Sequence, residues 1–257
     1  MERLIGKKKR GINGNALRAW GLIFLACGVI GRGIIQTWLL GVGNLTTEQL
    51  LGVMASSENM MRLATVSLVL QAVETCAVPI FALILAEGFQ HTGDFKAYFL
   101  RIFGLALLTE IPYNLAIGGQ FFALGTRNPV FSLVLCLVML YLYGRFPEAK
   151  FVNTIVKVII TVAAILWSEM LKVEFGSAMI LVSAVLWALR KNTLYRNFAG
   201  AAAAIVCTIF SPFFLAAPMG FMAVHLYNGE QSTNSRTVNY LAYPCILVIA
   251  AAIGILL

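Results

Sequence analysis

The sequence predicts an all-α fold, a polytopic transmembrane helical bundle of about nine spans with a cytoplasmic N-terminus, and three observations carry that prediction. Of the 257 residues, 60% are apolar and only 12% are charged, with a mean hydropathy of +0.86, a balance that belongs to chains solvated by lipid. The apolar residues fall in long runs, and about 20 helical residues cross a hydrocarbon core of about 30 Å. Lys and Arg also alternate in density from loop to loop, as retention of basic residues on the cytoplasmic side requires.

Taken in order, the spans are drawn at about 17–40, 63–86, 97–117, 129–146, 152–171, 175–190, 198–211, 213–227 and 238–257. Pro212 and Pro218 interrupt the stretch 198–227, which reads either as two short helices or as one broken one. With the N-terminus inside, the cytoplasmic segments collect fourteen Lys and Arg, among them Arg3, Lys7, Lys8, Lys9, Arg10 and Arg18, while the outer loops hold only Arg62, Arg127 and Lys172. This asymmetry fixes the orientation and places the turn from Glu87 to Lys96 in the cytoplasm.

No polar stretch is long enough to hold a separate core, so residues 1–257 read as one membrane domain that begins with a basic segment, 1–16. The outer loop 41–61 offers a short surface helix over 46–54 and a sequon at Asn44-Leu45-Thr46. The first apolar run contains Arg32 and lacks a small-residue cleavage site, so it reads as a span rather than a cleaved signal. No internal repeat is evident, which argues against a repeat-built transporter.

The basic character belongs to the membrane surface and, with no aromatic-basic platform, gives no reason to expect a nucleic-acid partner. Cys27, Cys76, Cys136, Cys207 and Cys245 fall singly in apolar runs and read as packing residues. With two histidines and no paired cysteines, no metal site is expected. The tryptophans sit near span ends, as interfacial anchors do.

Rise per residue puts three charged groups at one depth. Arg32, Glu74 and Glu110 each lie about 20 Å from the cytoplasmic face at about 1.5 Å per residue. A lone charge there costs several kcal/mol. Arg32 is therefore expected to contact Glu74 or Glu110, either fixing helix register or forming a substrate or proton site. In the cytoplasmic turn, Glu87 and His91 stand four residues apart, a spacing that suits a proton-accepting imidazole beside a carboxylate or a local cap. Asn114 follows Glu110 by four residues across Pro112, whose missing N–H frees a carbonyl and favours a kink.

These motifs resemble the TraX family of membrane proteins. The resemblance rests on Ala77-Val78-Pro79-Ile80-Phe81, Glu87-Gly88-Phe89, His91-Thr92, Lys96, Arg101 and Glu110-Ile111-Pro112-Tyr113-Asn114. Asn128, Phe131, Phe175-Gly176, Tyr227-Asn228-Gly229 and Tyr243-Pro244 add to it.

The resemblance implies an acetyltransferase of the bacterial plasma membrane that takes acetyl from cytosolic acetyl-CoA and passes it to a pilin-like or small-molecule acceptor. His91, Glu87 and Glu110 are then the candidate catalytic residues, Lys96 and Arg101 the cofactor-binding cations, and Arg32, Glu74 and Asn114 a polar substrate cluster. Three positions depart from the family pattern. Gly31-Arg32 replaces an Asp-His pair, Thr75 replaces an arginine, and Ile246 replaces a histidine. Because a guanidinium stays protonated, the departures leave two further readings. One is a catalytically degenerate scaffold acting as a subunit of a membrane complex, and the other is a transporter using Glu74 and Glu110 as proton carriers.

Overall fold

The computed structural model describes residues 11–41, 52, 57–122, 125–146, 151–230, 232 and 236–257. Most of the basic N-terminal segment, Lys150, the sequon and nearly all of the expected surface helix lie outside the described residues. The helices are α1 (Gly14–Gly28), α2 (Glu58–Glu74), α3 (Ala77–His91), α4 (Phe95–Gly118), α5 (Val130–Tyr143), α6 (Phe151–Met170), α7 (Gly176–Ala188), α8 (Thr193–Val206), α9 (Gly220–Leu226) and α10 (Arg236–Leu256). Among the described residues there is no strand beyond two isolated bridges, Ile12 with Tyr227 and Arg127 with Val173.

Short polar side chains set the helix starts. Asn13, Ser57 and Asp94 accept from Ala16 N, Met60 N and Ala97 N, each satisfying a backbone donor that the first turn leaves free. Gly119, with φ 65°, ends α4 in the left-handed conformation that glycine adopts without strain.

Among the described residues, five helical stretches are long and apolar enough to cross a membrane, at Gly14–Leu39, Glu58–His91, Phe95–Gly118, Phe151–Met170 and Thr237–Leu256. Helix α6 confirms the solvent. It buries only Thr161 and Ser168 and exposes Phe151, Ile159, Leu166 and Trp167. Polar inward and apolar outward is the pattern of a helix in lipid, where small polar residues make the helix contacts. Both buried hydroxyls are bonded, Thr161 with the Tyr143 phenol and Ser168 with the Ile165 carbonyl.

Three irregularities gather at one depth. After Gly28 the first helix widens into π-helical turns over Val29–Leu39, a form that is rare and concentrated at functional positions. The second crossing breaks at Thr75–Cys76, between α2 and α3. The stretch 198–227 resolves as a hairpin. Helix α8 rises about 21 Å and α9 about 10 Å at 1.5 Å per residue, with three short 3-10 turns, Cys207–Ile209, Pro212–Leu215 and Ala217–Met219, between them.

Neither arm of that hairpin reaches across the bilayer by itself. Its tip docks on the break, where the Thr75 hydroxyl donates to the Phe213 carbonyl at 3.1 Å and the Cys76 thiol to the Ala216 carbonyl at 3.2 Å. Irregular backbone is tolerated at membrane depth only when protein buries it, and each irregular segment here supplies partners to the other.

Gly220 allows this docking, since a Cβ there would stand 2.1 Å from the Cys76 carbonyl oxygen. Gly220→Ala should therefore cost about 1–3 kcal/mol by overpacking. Gly104→Ala, with nothing within 4 Å, should not. Thermal unfolding of the two variants in detergent checks the contrast.

Candidate functional site

A cavity of about 520 Å³ opens at the C-terminal end of α3 and runs inward along α1, α3, α4 and α10. Its lining along α3 extends from His91 to Ala77, about 20 Å at 1.5 Å per residue. The walls change character with depth. Arg18, Glu87, His91, Thr92, Arg101 and Tyr227 line the mouth, whereas Leu25, Val78, Leu105, Val130, Phe175 and Tyr243 line the interior. A volume in the ordinary range of ligand pockets, about 300–1,000 Å³, combined with polar groups at one end only, suits a slender ligand with a charged head.

The mouth is held by bonds between distant parts of the chain. Tyr227 donates to the Glu87 carboxylate at 2.8 Å. Backbone bonds from Ile12 to Leu226 and from Asn228 to Ile12, both 2.9 Å, tie the start of the first helix to the end of the hairpin. His91 does not bond the Glu87 carboxylate that its spacing suggested. Its Nδ1 lies 2.8 Å from the Glu87 backbone carbonyl. A carbonyl only accepts, so Nδ1 carries the hydrogen, and in the neutral ring Nε2 keeps its lone pair. Arg101 packs its guanidinium over the Tyr98 ring at 5.9 Å and borders the mouth. Lys96 is exposed and is not among the lining residues.

Deeper in the protein lies an ion cluster. Arg32 Nη2 donates to Glu74 Oε2 at 2.6 Å, and Arg32 Nη1 pairs with Glu174 Oε1. Tyr113 donates to the other Glu174 oxygen at 2.8 Å, and the guanidinium sits 5.8 Å from the centre of the Phe175 ring. Glu74 is 1% exposed and Glu174 7%.

The local backbone is shaped to admit these groups. A Cβ on Gly28 would fall 1.8 Å from the Glu74 carboxyl carbon, so only glycine leaves room there. Lys172 and Phe175, with φ 52° and 56°, flank the residues that turn Glu174 inward, at about 1–3 kcal/mol of backbone strain each.

Of the expected polar cluster, the structure joins Arg32 to Glu74 and leaves Glu110 elsewhere. Glu110 accepts from Arg127 at 3.0 Å, from the Asn128 side chain at 2.6 Å and from the Asn128 backbone at 3.2 Å. It thereby clamps the outer bridge in which Arg127 N donates to Lys172 O and Glu174 N to Arg127 O. Asn114 is buried with its Oδ1 unpartnered. Neither Arg32, Glu74, Glu110 nor Asn114 lines the cavity, and α4 continues through Pro112.

Sequence reasoning missed Glu174, Arg18, Tyr227 and Arg127. Glu174 had one available signal, its place directly before Phe175-Gly176.

These features define a helical integral membrane protein with an internal cavity open at one end, backed by a buried ion cluster. The chain belongs to the TraX family, whose model, described as TraX protein, matches residues 50–254. Searches of curated proteins and of solved structures each found no match. The match begins after the helix that carries Arg32.

Removing one partner from a buried ion cluster strands the others, at about 3–5 kcal/mol. Arg32→Met should therefore lower the unfolding temperature in detergent well beyond Arg127→Met, because the Arg127 side chain is 39% exposed.

Proposed function

We propose that the protein is an acyltransferase of the bacterial plasma membrane that uses the cytoplasm-facing cavity to move an acetyl group from acetyl-CoA to an amine or hydroxyl acceptor. The observation that carries this reading is the placement of His91 at the cavity mouth, with Nδ1 fixed to a carbonyl and Nε2 left as a base. Arg18 and Arg101 border the same mouth and supply the charge that phosphate groups of a nucleotide-bearing donor need. The apolar interior below them accommodates a slender thioester arm and excludes water from it.

In this mechanism His91 Nε2 takes the proton of the acceptor N–H or O–H as that atom attacks the thioester carbonyl. The carbon–sulfur bond then breaks, and the departing sulfur takes up a proton from the imidazolium. The phenol of Tyr98, on the cavity wall near the mouth, is the donor available to a developing oxyanion close to His91. Glu87 acts at one remove. Its carboxylate holds Tyr227 and its carbonyl orients the His91 ring, so it is a positioning residue. Glu110, engaged by Arg127 and Asn128, takes no part.

A second reading, a catalytically degenerate scaffold serving as a subunit of a membrane complex, draws support from Arg32, which occupies with two carboxylates the position where the family pattern carries Asp-His. The two readings give different experiments. Purified protein incubated with labelled acetyl-CoA should transfer label, and His91→Ala should lower the rate at least 100-fold while leaving acetyl-CoA binding nearly unchanged. Arg101→Ala should weaken binding in a salt-dependent way. Absence of transfer together with stoichiometric co-purification of other membrane proteins would overturn the enzyme reading.

A further inference from the structure

The ion cluster carries an imbalance that none of its visible bonds removes. Arg32 brings one positive charge to two buried carboxylates, Glu74 and Glu174. The next cation, Arg127, is bonded to a third carboxylate, Glu110, so it cannot offset the second. The other groups in electrostatic reach of Glu74 are Cys27 of α1, Tyr113 of α4 and Tyr243 of α10. None of them is a cation. An uncompensated negative charge among apolar helices costs several kcal/mol, and a carboxylate in that position takes up a proton instead.

The hydrogen bonds distinguish the two carboxylates. Both oxygens of Glu174 receive a donor, one from Arg32 and one from Tyr113, the arrangement that favours an ionised group. Glu74 has one oxygen on Arg32, and the other, Oε1, is buried with no partner. Glu74 also stands at the C-terminal end of α2, where the helix dipole disfavours negative charge.

We infer that the cluster is a proton-binding site, in which Glu74 is a neutral carboxylic acid at neutral pH and Glu174 is the carboxylate that neutralises Arg32. The inference holds whether the cavity is catalytic or not. Tyr243 lines the cavity and lies in electrostatic reach of both Arg32 and Glu74, and Phe175, whose ring carries the guanidinium, lines it as well, so the cluster stands behind the cavity wall.

Infrared spectroscopy of the purified protein in nanodiscs reads the proton directly. At neutral pH the wild-type protein should show the carbonyl band of one protonated carboxyl. Glu74→Gln should remove the band and leave the unfolding temperature nearly unchanged, since an amide replaces a neutral acid of the same shape. Glu174→Gln should also remove it, because Glu74 must then ionise to serve Arg32. Absence of the band from wild type, its persistence in Glu74→Gln, or unfolding of Glu74→Gln would overturn the inference. So would a wild-type band that appears only when sodium and potassium are withdrawn, which would assign the position to a metal cation. Should Glu174→Gln fail to fold, the wild-type and Glu74→Gln spectra still decide.

Discussion

The fold depends on neutralising one guanidinium far from water. Arg32 is enclosed with two buried carboxylates among apolar helices, where an unpaired charge is among the most costly groups a helix can carry. Its solution draws in four separate pieces of chain. Glu74 comes from the end of α2, Glu174 from the turn before α7, Tyr113 from α4, and Arg32 itself from the π-helical extension of α1. Apolar packing between lipid-solvated helices is weakly directional, because lipid tails are as good a solvent as leucine. The charged contacts are directional and cannot be exchanged for lipid. Register among these elements is therefore set by the cluster, and the left-handed backbone at Lys172 and Phe175 is the strain accepted to complete it.

The same demand explains why the irregular backbone is concentrated at one level. A glycine at 28 is required for Glu74 to approach, and the π-helical turns begin directly after it. At the break, the Thr75 hydroxyl and the Cys76 thiol donate to carbonyls at the tip of the α8–α9 hairpin. Each irregularity would be prohibitive against lipid, and together they close on one another. Tyr227 then returns to Glu87, and the space enclosed by α1, α3, α4 and α10 remains open as the cavity.

Much of this was legible in the sequence. Hydropathy gave the class, because it follows from the energetics of single residues in lipid. Depth arithmetic offered Glu74 or Glu110 as the partner of Arg32, and the structure takes Glu74. The same arithmetic could not separate Glu110, because depth carries no information about which face of a helix a residue occupies. Glu110 points to the outer bridge, where Arg127 reaches it from a loop assigned to solvent. Glu174 was hidden for a related reason. It sits at a span boundary, and only the two left-handed residues, neither of them a glycine, turn it inward. Spacing brought His91 to Glu87, but to its carbonyl rather than its carboxylate. In an α-helix a ring four residues on can cap the carbonyl of its own turn, and that alternative uses no side-chain partner.

The separation between cluster and mouth bears on the proposed reaction. If that reaction required a base at the level of Arg32, it could not proceed, since a guanidinium cannot accept a proton. Yet none of the cluster residues lines the cavity, and the imidazole that does lies about 20 Å nearer the mouth along α3. In the proposed reaction a nucleotide-bearing donor would enter by the mouth, with its charged head held outside the apolar interior. The reacting carbonyl is therefore placed by how far the arm descends from the mouth. Chemistry close to His91 calls for a shallow acceptor and leaves the deep cluster to architecture and proton storage. Chemistry close to Tyr243 calls for an acceptor that reaches the membrane interior and places the reacting groups against the wall behind which the cluster stands. The position of the acceptor thus decides whether the buried ion cluster is the foundation of the site or its far wall.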